Sequence, residues 1–169
     1  MRTFPHSSTT LLTQRGFSML EILITLVIIA TALLGTASLQ IHAIRINQSS
    51  QFRTQAVFLA SDIAERMEAN PDAAISGNYA VSQTNTASTA TDCAASACDS
   101  ATLAAWDVSQ WENAIITLGL PQASWEVTQT STGNPSTYKI VINWTDRSSD
   151  KSTHGENFSY TATRTVATN

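Results

Sequence analysis

One carboxylate, Glu21, sits near the start of an apolar run that lasts to Ile44, and no other charged residue occurs between Arg15 and Arg45. A lone acid in bilayer hydrocarbon costs roughly 2.5–3.5 kcal/mol on insertion scales, so it is rarely kept without a partner or a role. Cysteine offers the second piece of chemistry. Cys93 and Cys98, the chain's two cysteines, lie in a stretch rich in Ser, Thr, Ala and Asn. They suit a single disulfide in an oxidising compartment, with free thiols or half of a metal site as alternatives. Structural zinc normally takes four ligands, and there is no second Cys or His pair; His6, His42 and His154 are scattered. Catalytic groupings are missing: there is no Gly-x-Ser-x-Gly elbow, phosphate-cradling glycine loop or His-Glu-x-x-His pattern. No catalytic residue, metal site or cofactor is expected.

Charge narrows the classes further. The chain has 169 residues, a net charge of −4 and only 13% charged residues. Two of its nine cations, Arg2 and Arg15, lie in the first sixteen residues, which hold no acid, so the remainder carries seven cations against thirteen acids. That balance argues against binding nucleic acid by phosphate neutralisation.

The elements that must position these residues begin with residues 1–16, a polar, basic leader. The apolar stretch after it is far longer than the core of an ordinary secretory signal and reads as a retained helix of about 20 residues or more. Leu34-Gly35-Thr36-Ala37-Ser38 resembles a conventional cleavage site only weakly. The flanking arginines leave orientation open, and the cysteine pair places the C-terminal part outside the cytoplasm. Beyond Arg45, apolar residues recur at Phe52, Ala56, Leu59, Ile63 and Met67, which is helical spacing. Asn70-Pro71 supplies a stop. A helix from Phe17 to about Asn70 would be roughly 80 Å long. Residues 17–44 form its membrane half and 45–70 its amphipathic half.

Residues 71–169 then form a head. Residues 71–100 read as loop around the cysteines. A helix is predicted over 101–118, capped by Asp99 or Ser100, carrying Leu103, Trp111, Ala114, Ile115 and Leu118 on one face and ended by Gly119 with Pro121. Trp106 lies at the edge of that face. Asp107 falls near it too, where unpaired burial would be costly; it is expected to point into solvent or to bond nearby backbone. Strands are predicted within 125–167. Tyr138, Ile140, Ile142 and Trp144 share one side, and turns fall at Gly133-Asn134-Pro135 and at the polar segment 147–155. An antiparallel meander packed on Phe52, Leu59, Ile63 and Met67 gives an α+β fold.

Gly16-Phe17-Ser18-Met19-Leu20-Glu21-Ile22-Leu23-Ile24 resembles the type III signal of type IV pilins and pseudopilins. The resemblance implies that a prepilin peptidase cuts between Gly16 and Phe17 and N-methylates Phe17. It makes Glu21 the mature fifth residue, whose carboxylate meets the new amino terminus of its own or a neighbouring subunit and sets axial register. A glutamate snorkelling to headgroups is the plainer alternative. The proline found midway along this helix in many major pilins is missing here.

Leu103, Asp107 and Trp111, then Leu118-Gly119-Leu120-Pro121, then Val141-Ile142-Asn143-Trp144-Thr145-Asp146-Arg147, resemble the minor pilins called PilV, or type IV pilus modification proteins. The resemblance implies a single-pass inner-membrane precursor with a periplasmic head. It would prime pilus assembly or form a tip complex with other minor and major pilins, an inner-membrane assembly platform and a tip adhesin. Adhesion and twitching motility would follow from that role. A minor pseudopilin of a type II secretion system shares the signal and spine. A permanently anchored periplasmic binding or scaffold protein is the alternative from another class.

Overall fold

The computed structural model of the chain describes residues 16–84, 86–146 and 155–168. A 51-residue helix, α1 (Met19–Ala69), runs through two compact units, the first ending at Ala43 and the second beginning at Ile44.

In the first unit α1 is apolar on all sides and no described residue covers it, so Leu20, Leu23, Leu26, Leu33 and Leu39 are each more than half exposed. Its threonines are not orphaned there. Thr25, Thr31 and Thr36 each donate their hydroxyl to the carbonyl three residues back, at 2.8–2.9 Å. Such back-bonding is how a hydroxyl is satisfied where water is absent. Among the described residues this is the one helix long and apolar enough to cross a membrane.

In the second unit the apolar pattern narrows to a stripe, and Ala56, Leu59, Ala60, Ile63, Ala64 and Met67 are buried. Pro71 cannot donate to the preceding turn, so α1 ends at Ala69. The same proline, with φ already suited to the first position of a helix, starts the short α2 (Pro71–Ile75). Next come β1 (Val81–Thr84), α3 (Ser100–Leu118), β2 (Ser124–Ser131), β3 (Ser136–Asp146) and β4 (Glu156–Val166). Asp99 caps α3 by accepting from the Thr102 N–H at 2.7 Å, and Gly119 closes it in the left-handed conformation, with φ at 71°.

The four strands form one antiparallel sheet in sequential order, β1-β2-β3-β4. Alternation along β3 puts Ser136, Tyr138, Ile140, Ile142 and Trp144 on the buried face. These join the α1 stripe, Trp111 and Ile115 of α3, and Trp125 and Val127 of β2 in one core. Trp111 meets Trp125 edge to face, with ring centroids 6.5 Å apart, and Trp144 stacks on Phe158 at 6.0 Å. Aromatic pairs of this kind add about 0.5–1.5 kcal/mol beyond area burial.

Three expectations need correcting. Residues 71–100 are not all loop, because α2 and β1 lie within them, and among the described residues the head has two helices beyond α1 rather than one. Val81–Thr84 has too little apolar alternation to announce a strand, and its pairing with Ser124–Val127 is what makes it one. Leu118 is 44% exposed, because the last turn of α3 runs past the core. The predicted turn at 147–155 lies outside the described residues except for Gly155.

Candidate functional site

Gly16, Phe17 and Ser18 precede α1, and Ser18 lies immediately before its first residue, Met19. The Ser18 hydroxyl accepts from the Leu20 N–H at 3.3 Å. Its carbonyl accepts from Glu21 at 3.0 Å and Ile22 at 3.3 Å. Phe17 is 80% exposed, and a Cβ on Gly16 would meet nothing within 4 Å. Packing therefore requires neither residue's identity. Glu21 falls in the first turn of α1, where the helix dipole favours an anion. Among the described residues its carboxylate has no hydrogen-bonding or ionic partner. A negative group at the positive end of an apolar helix can attract an external cation, and that is the chemistry this end offers.

The second unit holds a polar cluster of a different kind. Arg66 on α1 donates from Nε to Asp62 at 3.0 Å, one turn back. Its Nη1 donates to Oδ1 of Asp107 on α3 at 3.1 Å. The Tyr79 hydroxyl donates to Oδ2 of the same carboxylate at 2.8 Å, with the Arg66 carbonyl a second acceptor at 3.1 Å. Asp107 is thus buried and fully engaged, not solvent-facing or bonded to nearby backbone as expected from its position. Burial alone would lower the Arg66 pKa, yet hydrogen bonding and attraction to Asp62 and Asp107 outweigh it and raise the pKa. Burial, then the bond to Asp107, pushes the Tyr79 phenol well above its usual range. Both side chains stay protonated across ordinary pH, so the cluster is a clamp between α1, α3 and the segment before β1, not a proton carrier.

A second buried acid, Glu112, is wholly enclosed. It accepts from the Trp125 indole N–H at 2.9 Å and from the Ser88 backbone N–H. It ties the long loop before α3 to β2. The same loop carries the Cys93–Cys98 disulfide, with Cα atoms 5.6 Å apart. Tyr138 donates to the Ala74 carbonyl at 2.6 Å and Trp111 to the Leu59 carbonyl at 2.7 Å, whereas the buried Trp144 indole N–H has no acceptor among the described residues.

Residue patterns missed Tyr79 and Glu112. The i,i+4 spacing of Asp62 and Arg66 on one helix is a local signal for a pair, but nothing local joins them to Asp107. No group of three or more potential metal ligands occurs among the described residues.

Comparison with known proteins gives two matches. Residues 11–37 match the model of the prokaryotic N-terminal methylation motif. Residues 38–109 match a family model described as type IV pilin Tt1218. The first covers Gly16, Phe17 and Glu21; the second covers Arg66, Tyr79, the disulfide and Asp107. No curated protein and no solved structure matches the chain.

Proposed function

We propose that this chain, whose residues 11–37 match the prokaryotic N-terminal methylation motif and whose residues 38–109 match a type IV pilin model, is a minor type IV pilin that primes pilus assembly or sits in the tip complex. The observation that carries the assembly role is Glu21, five residues after Gly16, an acid in the first turn of an apolar helix and without a partner among the described residues. Cleavage between Gly16 and Phe17 by a prepilin peptidase would create a cationic amine beside it, and Phe17 would then be methylated. Packing leaves Gly16 unconstrained, which fits a residue kept for recognition by the peptidase. Once subunits stack, the Glu21 carboxylate meets an amino terminus in a low-dielectric setting, where opposite charges attract strongly and fix axial register.

The precursor is a single-pass inner-membrane protein with its head in the periplasm. The disulfide in the head supports that side of the membrane, since such bonds persist in oxidising compartments. Its role is structural, not enzymatic, in keeping with pilins generally. The motifs around Leu103–Trp111, Leu118–Pro121 and Val141–Arg147 support the PilV-like minor subclass. Partners on this reading are other minor and major pilins, the inner-membrane assembly platform and a tip adhesin, with adhesion and twitching motility as outputs.

Terminal sequencing and intact mass of the native chain test the reading. The expected product begins at methylated Phe17 and co-purifies with pilins from sheared surface filaments. Glu21→Ala is expected to insert in the membrane normally and to fail in assembly. A chain still carrying its leader in cells that hold the peptidase would refute it. Loss of protein secretion with normal pili would transfer the chain to a type II secretion pseudopilus.

A further inference from the structure

The sheet ends on β4, and among the described residues nothing pairs with the outer side of that strand. Its orientation can be worked out. Thr145 of β3 donates its N–H toward β2, to the Pro121 carbonyl at 2.8 Å. Alternation along an antiparallel ladder then turns the even-numbered residues of β3 toward β4, and their even-numbered partners back toward β3. The backbone N–H and C=O groups of Asn157, Ser159, Thr161 and Thr163 therefore point away from the sheet. A long row of such groups is a template for another strand, and sheet edges are commonly blunted by proline, lysine or a bulge. β4 runs for 11 residues with no proline and no lysine, and its register with β3 is unbroken. Its one cation, Arg164, is held by Glu68 of α1.

Beside this edge lies a groove of roughly 260 Å³ between α1 and the sheet. Small side chains create it: Ala60, Ser61 and Ala64 on α1 and Ala162 on β4. Glu65 also lines it, exposed and without an ion-pair partner among the described residues. An added strand would send every second side chain toward that groove and the others to the Ser- and Thr-rich outer face.

We propose that β4 accepts a fifth strand from another protein, an extended segment with small aliphatic side chains at alternate positions and a lysine or arginine set against Glu65. Backbone bonds supply the affinity, the alanine-lined groove limits side-chain size, and the Glu65 charge selects register. A second copy of β4 fits poorly, because it would offer Phe158 and Tyr160 to the groove and its Arg164 is already paired. The inference rests on the head alone and does not require the minor-pilin reading.

The test uses the full chain in detergent micelles and a nine-residue peptide in which threonine alternates with valine, alanine, lysine and valine. Saturable binding is expected, with slowed amide exchange at Ser159, Thr161 and Thr163. Thr161→Pro removes one outward N–H while leaving the bonds to β3, a position where edge strands tolerate proline. It should keep the fold by far-UV circular dichroism and weaken binding about tenfold. Glu65→Lys, on the exposed helix face, gives an independent arm: it should weaken the lysine peptide and strengthen one with glutamate in that place. No saturable binding up to roughly millimolar peptide, or binding that neither variant changes, would overturn the proposal. So would concentration-dependent self-association abolished by Thr161→Pro, which would make the occupant a second copy.

Discussion

Asp107→Ala removes the one carboxylate that receives both the Arg66 guanidinium and the Tyr79 hydroxyl. Breaking a buried ion pair from one side costs about 3–5 kcal/mol when both charges are enclosed. Here the Arg66 side chain is 30% exposed and keeps Asp62 at 3.0 Å. Solvent and that second carboxylate reduce the ionic share to about 1 kcal/mol. Tyr79 is fully buried, and without Asp107 its hydroxyl has only the Arg66 carbonyl at 3.1 Å. Losing the stronger acceptor costs about 1 kcal/mol more. The sum, about 2 kcal/mol, lowers the unfolding midpoint of a chain this size by about 4–8 °C. Thermal unfolding of the full chain in micelles, followed by tryptophan fluorescence, reads this directly because Trp111 and Trp125 report the head's core. Tyr79→Phe closes a double-mutant cycle with Asp107→Ala, with a coupling of about 1 kcal/mol expected. A midpoint for Asp107→Ala within about 1 °C of the parent, or strict additivity in the cycle, would refute the clamp.

Three other outcomes follow from the same packing. The head should lose stability as pH rises above about 10. The folded Tyr79 and Tyr138 hold their protons longer than the unfolded chain does, so their contribution is complete below the ordinary tyrosine range and is lost above it; Tyr79→Phe should flatten that alkaline slope in a pH series of unfolding midpoints. Glu112→Leu leaves the buried Trp125 indole N–H and the half-buried Ser88 N–H without an acceptor, so a loss of about 2–3 kcal/mol and a shifted Trp125 emission are expected. Replacing both Cys93 and Cys98 by serine opens a loop with a sequence separation of only 5, so chain entropy limits the cost to about 2 kcal/mol; a larger fall in the midpoint would mean that the loop's order depends on the bridge.

Legibility in the sequence followed the range of each interaction. The apolar run and the spacing of Phe52, Leu59, Ile63 and Met67 mark α1 because a helix repeats locally. Tyr138, Ile140, Ile142 and Trp144 mark β3 for the same reason. Asp99 and Gly119 bracket α3 through caps that reach three residues. The motif from Gly16 to Glu21 is readable in full, because a processing signal must work as a linear string. Tyr79 and Asp107 are 28 residues apart and Arg66 and Asp107 are 41 apart, so no window of sequence holds the clamp. Glu112 interrupts an apolar helix face, where an acid ordinarily signals solvent; the partners that keep it inside come from β2 and a loop. β1 exists only through its neighbour. The structure adds the destination of each long-range hydrogen bond, and that is what composition cannot carry.

The hydroxyls of Thr25, Thr31 and Thr36 are each looped back onto their own helix. A subunit drawn out of lipid and into a protein assembly exchanges one dry medium for another, and these groups have no bond to surrender on either side. Over its first turns such a helix carries one charged group, Glu21, whose surroundings matter most. On the proposed pilin reading, the preference between membrane and filament would then turn largely on the ionic contact of Glu21.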